Sequence, residues 1–118
     1  MSPSRPLLAV ALVLIGTSLA SAEDDPQLVR QGREVLAAQC SRCHAIEPTG
    51  NSPHRDAPPF RTLSQRYPIE YLAEALAEGL STGHPDMPEF VFELQEVSAI
   101  LAYLQSIQTP QAAPRSKR

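Results

Sequence analysis

The chain has 118 residues, of which 42% are hydrophobic and 19% charged, and its formal net charge is −3 at pH 7. This length allows one domain at most, and an acidic chain of this kind is not expected to bind nucleic acid. With three Phe, three Tyr and no Trp, the chain has little large apolar material, so a small core of this kind needs a covalent or metal-based staple.

Residues 1–22 have the pattern of a signal peptide. Arg5 supplies the positive charge, Leu7 to Ile15 form an unbroken apolar run of nine, and Ala20-Ser21-Ala22 forms a small-x-small cleavage site. The apolar run is too short to span a membrane. We therefore predict cleavage after Ala22, a mature domain over residues 23–109 without a transmembrane anchor, and a flexible basic tail over residues 110–118.

The first helix is predicted from about Pro26 to about Cys43. Asp25 is a good N-cap residue, and Pro26 suits the first helical position because its ring presets the helical φ angle. The apolar stripe of this helix is only moderate. Gly32 lowers helix propensity by about 1 kcal/mol relative to alanine, and it is either tolerated there or required by another helix that crosses close by.

The segment Cys40-Ser41-Arg42-Cys43-His44 has the spacing that attaches a c-type haem. Each thiol can add to one vinyl group of the porphyrin, and one turn of chain places both sulfurs along one haem edge. The histidine that follows is then carried under the iron, where its imidazole is an axial ligand. We therefore predict one covalent haem c, bound through Cys40, Cys43 and His44.

The two cysteines allow three other interpretations. A redox dithiol would require a strand and a βαβ pattern around it, and neither is visible. A zinc site would combine Cys40, Cys43 and His44 with His54 or His84, although adjacent ligands suit tetrahedral zinc poorly. A disulfide between the two cysteines would close a very small loop and add little stability.

Residues 45–67 are rich in Pro, Gly, Asn and Ser and are predicted to form a loop. Pro58 and Pro59 stiffen it, and the carbonyl of one of them is a candidate acceptor for the second ring nitrogen of His44. The alternative is that the two prolines only rigidify a turn.

A second helix is predicted to open at Pro68 and to end at Gly79, and a third to run from about Leu94 to about Gln108. Between them, Met87 lies in a proline-containing loop. Met87 is the only methionine left after signal cleavage, and thioether sulfur is a known sixth ligand of haem iron. We favour Met87 in this role, with His84 as its competitor and His54 as a more distant one.

Taken together, four motifs make the chain resemble a small bacterial class I, or monohaem, cytochrome c. They are Cys40-Ser41-Arg42-Cys43-His44, Ala57-Pro58-Pro59-Phe60, His84-Pro85-Asp86-Met87-Pro88-Glu89-Phe90 and Leu101-Ala102-Tyr103-Leu104. The resemblance implies an all-α fold of three to four helices wrapped around one covalent haem. It also implies that the first and last helices cross near Gly32, with Leu36 against Ile100 and Tyr103.

The same resemblance implies a Pro58 or Pro59 carbonyl on His44, and Met87 as the sixth ligand. Two features depart from the family. The segment Phe92-Glu93-Leu94 offers only a weak N-cap to the last helix, and Lys117 is the only lysine, so a lysine-rich docking face is not expected.

The function expected from these features is single-electron transfer in the periplasm, between a donor and an acceptor protein such as a dehydrogenase, an oxidase or another cytochrome. The chain would then be a carrier and not an enzyme by itself. The first alternative is a haem subunit of a periplasmic dehydrogenase complex. The second, less favoured, is a ligand-binding or peroxidatic haem protein. The sequence contains no hydrolase triad or nucleotide-binding glycine pattern that would favour another chemistry.

Overall fold

The computed structural model describes Gly16, residues 25–81 and residues 83–110. Apart from Gly16 and Pro110, the predicted signal peptide and the predicted tail lie outside these residues. Within them the chain forms helices and no strand, which confirms the all-α prediction. The α-helices are α1 (Pro26–Gln39), α2 (Leu72–Glu78) and α3 (Leu94–Ile107), and two 3-10 helices span Phe60–Gln65 and Ile69–Tyr71.

Helix α1 begins where the sequence predicts and ends earlier. The Asp25 carboxylate accepts a hydrogen bond from the Gln27 amide at 2.9 Å, and Pro26 occupies the first helical position. At the other end the amides of Cys40 and Ser41 both turn back to the carbonyl oxygen of Leu36. This shared acceptor breaks the regular helical pattern, so α1 stops at Gln39 and does not continue to Cys43.

Helices α1 and α3 cross at Gly32. A Cβ atom at this position would overlap the carbonyl oxygen of Ala99 and lie 2.9 Å from the Cβ atom of Tyr103. Leu36, Ile100 and Tyr103 are buried in one hydrophobic cluster beside the crossing. The glycine is therefore required by the close approach of the two helices, as the resemblance implies.

The prediction that residues 45–67 form a loop throughout is wrong at the 3-10 helix Phe60–Gln65. Phe60 and Leu63 are buried there, and their burial stabilises a turn that Pro and Ser composition does not reveal. The side chain of Gln108, just after α3, donates to the Phe60 carbonyl at 2.8 Å and accepts from the Ser64 amide at 2.9 Å. These bonds fix the 3-10 helix against the end of α3.

The second predicted helix begins as the 3-10 turn Ile69–Tyr71 and continues as α2, which ends at Glu78 with Gly79 as its C-cap, so Gly79 terminates the helix as predicted. Gly79 has a φ of +116°, which a residue with a side chain rarely adopts. Beyond it, the Phe92 amide donates to the Leu76 carbonyl at 2.9 Å. The segment that leads into α3 is thereby tied to α2.

The start of α3 is better capped than the sequence suggests. Glu93 and Glu96 form a reciprocal capping box, in which the Glu93 amide donates to the Glu96 carboxylate at 3.1 Å. This box satisfies amides that would otherwise lack partners, so the expectation of a weak N-cap is wrong. In the part of the chain that the structure describes, no helix is both long and apolar enough to cross a bilayer.

Candidate functional site

The cysteine pair and the histidine lie in one turn directly after α1. The amide of Cys43 donates to the Cys40 carbonyl at 3.1 Å, and the amide of His44 donates to the same oxygen at 2.9 Å. Both thiols are free and partly buried, so the disulfide interpretation is not supported. The turn holds two unpaired sulfurs close in the chain to the imidazole, which is the donor set that covalent haem attachment requires.

The environment of Cys40 does not suit a redox dithiol. Burial, with a smaller contribution from Cys43, raises the pKa of the Cys40 thiol to about 11. Reactive cysteines have a lowered pKa, because the thiolate is the nucleophile and the metal ligand. Among the described residues, moreover, no three His, Cys, Asp or Glu side chains converge as a metal-binding group would require. Neither the dithiol nor the zinc interpretation gains support.

The imidazole of His44 is held from two sides. Its Nδ1 lies 2.9 Å from the carbonyl oxygen of Pro58, and its ring centroid lies 4.6 Å from that of Phe60 at an interplanar angle of 31°. Because a carbonyl only accepts, Nδ1 must carry the proton and donate it. In the neutral ring Nε2 is then unprotonated, which is the form that binds a metal.

Of the two prolines, only Pro58 is placed by the structure against His44. The Pro59 carbonyl instead accepts from the Thr62 hydroxyl at 2.8 Å and from the Thr62 amide at 3.1 Å. The amide of Phe60 in turn donates to the carbonyl of Ala45 at 2.9 Å. The segment that carries Pro58 is therefore bonded directly to the residue after His44.

Met87 lies in the loop between α2 and α3 and is partly buried, whereas His84 is exposed. The Met87 amide donates to the His84 carbonyl at 3.2 Å, which closes a turn around Pro85 and Asp86. His54 has partners at both ring nitrogens, since Nδ1 accepts from an amide and Nε2 lies 3.3 Å from the Asp86 carboxylate. These bonds make His54 a weaker competitor for a ligand role than the sequence alone indicates.

Three residues that position the site carried no clear signal in the sequence. The Ser52 hydroxyl accepts from the Ala45 amide at 2.9 Å, Phe60 packs on the imidazole, and Gln108 fixes the Phe60 carbonyl. Phe60 was part of a recognised motif but had no assigned role. Ser52 lies in a loop without a periodic pattern, and Gln108 lies far from His44 in the sequence. Only the fold therefore brings these two residues to the site.

The loop after His44 is also tied to the helix crossing. The Tyr103 hydroxyl donates to the Ile46 carbonyl at 2.8 Å and lies 3.3 Å from the Glu47 carboxylate, which pairs with Arg33. Burial, and then the nearby Glu47 charge, raises the pKa of Tyr103. The neutral phenol is thus the form that the fold favours, and it links α3 to the residues that follow the imidazole.

Comparison with known proteins agrees with this geometry. The family model described as cytochrome c matches residues 29–108, a range that contains the cysteine pair, His44, Pro58 and Met87. A comparison with curated proteins found no match, and neither did a comparison with solved structures. Because the family match spans well over half of the chain, the chain belongs to the cytochrome c family, with covalent haem c as its cofactor.

Proposed function

We propose that this chain is a periplasmic monohaem cytochrome that carries single electrons between redox proteins, with His44 and Met87 as the axial ligands of its iron. The observation that carries the proposal is the 2.9 Å contact between His44 Nδ1 and the Pro58 carbonyl. A histidine that ligates a metal commonly donates its second ring N–H to such an acceptor. This contact supports a ligand role for Nε2 of His44.

The thiols of Cys40 and Cys43 are the proposed attachment points of the haem. They are unpaired, and they lie within one turn, in which the Cys43 amide donates to the Cys40 carbonyl. The haem supplies reversible one-electron chemistry at its iron. The role of the cysteines is to fix its position, so that His44 is always presented to the same face.

The Pro58 carbonyl orients the imidazole and raises the basicity of its ligating nitrogen, as acceptors behind metal-bound histidines do. Phe60 limits rotation of the ring by packing against it at 4.6 Å. Together these contacts preorganise His44, so little side-chain entropy remains to be lost when the ligand bond forms.

Met87 is the proposed ligand on the other side. It is the one thioether of the mature sequence, it lies outside every helix, and the turn from His84 fixes its backbone. A thioether favours reduced iron more than a nitrogen ligand does and raises the potential. With both axial positions filled by side chains, the protein has no open coordination position for a substrate, which favours an electron carrier.

Optical spectra of the protein expressed in a periplasm test the attachment, before and after extraction with acidified acetone. We expect haem that stays with the polypeptide, and we expect Cys40→Ala and Cys43→Ala to give unstable protein that retains haem poorly. His44→Ala should be worse. Arg42→Ala, an exposed change within the same pentapeptide, is the control and should retain its haem. Normal yields of doubly attached haem in either cysteine variant would contradict the assignment.

Two further measurements separate this proposal from its alternatives. A subunit of a periplasmic dehydrogenase would elute with its catalytic partner during purification, whereas a free carrier elutes alone. A ligand-binding or peroxidatic protein would bind carbon monoxide in its reduced form at neutral pH. We expect the native protein to elute alone and not to bind carbon monoxide under these conditions.

A further inference from the structure

His54 occupies a fixed position between the haem-attachment turn and the Met87 loop. Its amide donates to the Cys43 carbonyl at 3.1 Å, and its own carbonyl accepts from the Ala57 amide at 3.1 Å. The Asp56 amide donates to ring Nδ1 at 3.2 Å. Both the backbone and the ring of His54 are therefore held by the segment that follows the cysteines.

The Asp56 amide also determines which ring nitrogen carries the proton. Because Nδ1 accepts a hydrogen bond, it is unprotonated in the neutral ring, and the proton lies on Nε2. That nitrogen lies 3.3 Å from the carboxylate of Asp86. A neutral His54 can therefore donate to this carboxylate, in a bond that is assisted by the carboxylate charge.

Asp86 directly precedes Met87, in the turn closed by the bond between the Met87 amide and the His84 carbonyl. The contact between His54 and Asp86 thus joins two segments 32 residues apart in the chain. One segment carries the proposed ligand His44, and the other carries the proposed ligand Met87. A contact in this place can resist separation of the two segments.

We infer that His54 is a positioning residue, whose bond to Asp86 holds the Met87 loop closed and resists replacement of Met87 by external ligands. The inference rests on the proposed ligation by His44 and Met87. His54 is not assigned as an iron ligand, since Nδ1 accepts from the Asp56 amide within its own segment and Nε2 contacts Asp86 in the Met87 loop.

The expected size of the effect is modest, because the side chains of His54 and Asp86 are 33% and 74% exposed. Exposed pairs of this kind are worth little, and their loss should change an equilibrium by about twofold to fivefold. An effect of this size is measurable as a change in the affinity of the protein for a small ligand that competes with Met87. It is too small to abolish folding or haem attachment.

The experiment titrates the oxidised holoprotein with imidazole and follows the loss of the absorbance signature of thioether ligation. We expect His54→Ala and Asp86→Asn each to bind imidazole about twofold to fivefold more tightly than the native protein. Asp86→Asn changes only an exposed side chain and leaves His54 in place, so it tests the contact even if His54→Ala folds poorly. The double variant should bind imidazole no more tightly than His54→Ala alone, since without the His54 ring Asp86 has no bond to this residue left to lose.

Two variants distinguish positioning from general effects. His54→Gln retains an N–H donor near the position of Nε2 and should restore part of the native affinity. Arg55→Ala removes the exposed pair between Arg55 and Asp56, whose atoms are 3.6 Å apart, without touching the Met87 loop. It should bind imidazole as the native protein does.

The outcomes separate the inference from the proposed function. If the native protein shows no thioether signature, ligation by Met87 is wrong and the inference falls with it. If the signature is present but His54→Ala and Asp86→Asn bind imidazole as the native protein does, the ligation stands and the positioning role is overturned. An equal change in Arg55→Ala would also overturn it, because the effect would then not be specific to the contact between His54 and Asp86.

Discussion

The imidazole of His44 is oriented by Pro58, whose carbonyl oxygen lies 2.9 Å from Nδ1. The two residues are 14 positions apart in the chain. The segment that carries Pro58 is tied to the residue after His44 by the bond from the Phe60 amide to the Ala45 carbonyl, and to the end of α3 by the bond from the Gln108 side chain to the Phe60 carbonyl. The position of the segment that orients the proposed ligand therefore depends in part on Gln108, which is distant from His44 in the sequence.

Gln108→Ala tests this dependence. The side chain makes hydrogen bonds with the Phe60 and Leu104 carbonyls, both at 2.8 Å, and with the Ser64 amide at 2.9 Å. Their loss should lower the free energy of unfolding by about 1–3 kcal/mol, since partly buried groups are left without partners. Denaturant unfolding of the holoprotein measures this. Gln95→Ala, at an exposed position near the start of α3, is the control, and an equal loss there would contradict the prediction.

Substitutions at Met87 test the sixth ligand. Met87→His should keep the iron six-coordinate but lower its potential, because a nitrogen ligand favours oxidised iron and axial ligands move haem potentials over a span of about 0.8 V. Met87→Ala should open the site and gain carbon monoxide binding and weak peroxidase activity. Val91→Ala, an exposed change in the same connection, is the control. Native spectra and potential in both Met87 variants would point to His84.

Gly32→Ala tests the crossing of α1 and α3. Alanine is the better helix former by about 1 kcal/mol, yet its Cβ atom would overlap the Ala99 carbonyl at the crossing. Overpacking of this kind typically costs about 1–3 kcal/mol, so we expect net destabilisation in denaturant unfolding. Ala38→Gly, at an exposed position of the same helix, should cost only about 1 kcal/mol. A Gly32→Ala protein more stable than the native protein would show that α1 and α3 can move apart at no net cost, and it would contradict the prediction.

Tyr103→Phe tests how stability depends on pH. Burial, and then Glu47, raises the pKa of Tyr103 above its ordinary value, which is about 10. The unfolded chain thus loses this proton first, so the stabilisation is complete below about pH 10 and declines as the pH rises above it. Tyr103→Phe loses the bond to the Ile46 carbonyl, which should cost about 1 kcal/mol at neutral pH.

The variant should also show a smaller loss of stability than the native protein above about pH 10. The measurement is the free energy of unfolding in denaturant at a series of pH values. Tyr71→Phe is the matched control, because Tyr71 is 73% exposed. This variant should have the same free energy of unfolding as the native protein at neutral pH and the same loss of stability at high pH. Parallel declines in Tyr103→Phe and the native protein would contradict the assignment.

Charge reversal tests where the redox partner docks. Seven acidic residues and no Lys or Arg lie between Tyr67 and Gln108, and all seven are exposed. They are Glu70, Glu74, Glu78, Asp86, Glu89, Glu93 and Glu96. We predict that the partner meets a mixed surface, with Arg42 on one side and Asp86 and Glu89 on the other. Electron transfer should then slow as ionic strength rises, because salt screens such fields over about 10 Å at 0.1 M.

Stopped-flow electron transfer with the physiological partner measures this effect. Arg42→Glu and Glu89→Lys should change the second-order rate more than the potential. Glu74→Lys, on the exposed face of α2, is the control and should have a smaller effect. Electron-transfer rates that respond neither to salt nor to either charge reversal would indicate docking through apolar contacts around the haem edge.

Much of this structure could be predicted from local sequence patterns. The spacing of Cys40, Cys43 and His44 predicts the cofactor because the chemistry is confined to one turn of chain, and membership of the cytochrome c family confirms haem c. The N-cap at Asp25 and the stop at Gly79 also follow from short-range rules, since a side-chain oxygen or a positive φ acts within a few residues. These features need no knowledge of the rest of the fold.

The early end of α1, the capping box at Glu93 and the 3-10 helix at Phe60 were not predicted correctly. Each of these features depends on competition between hydrogen-bond acceptors or on burial. The propensity of a residue for helix or loop reflects neither of these effects. In α1, for example, the Ser41 amide chooses the Leu36 carbonyl over the next acceptor along the helix. Composition alone cannot rank two carbonyls that lie so close together.

By itself, the sequence determined the cofactor, the helical class and a choice between two prolines for the partner of His44. Only the tertiary structure decided that Pro58 faces the imidazole while the Pro59 carbonyl turns to Thr62. Adjacent carbonyls of an extended segment point in different directions, and the direction of each depends on how the whole segment is docked. That docking comes from the burial of Phe60 and the hydrogen bonds of Gln108, which are contacts between parts of the chain that no local pattern relates.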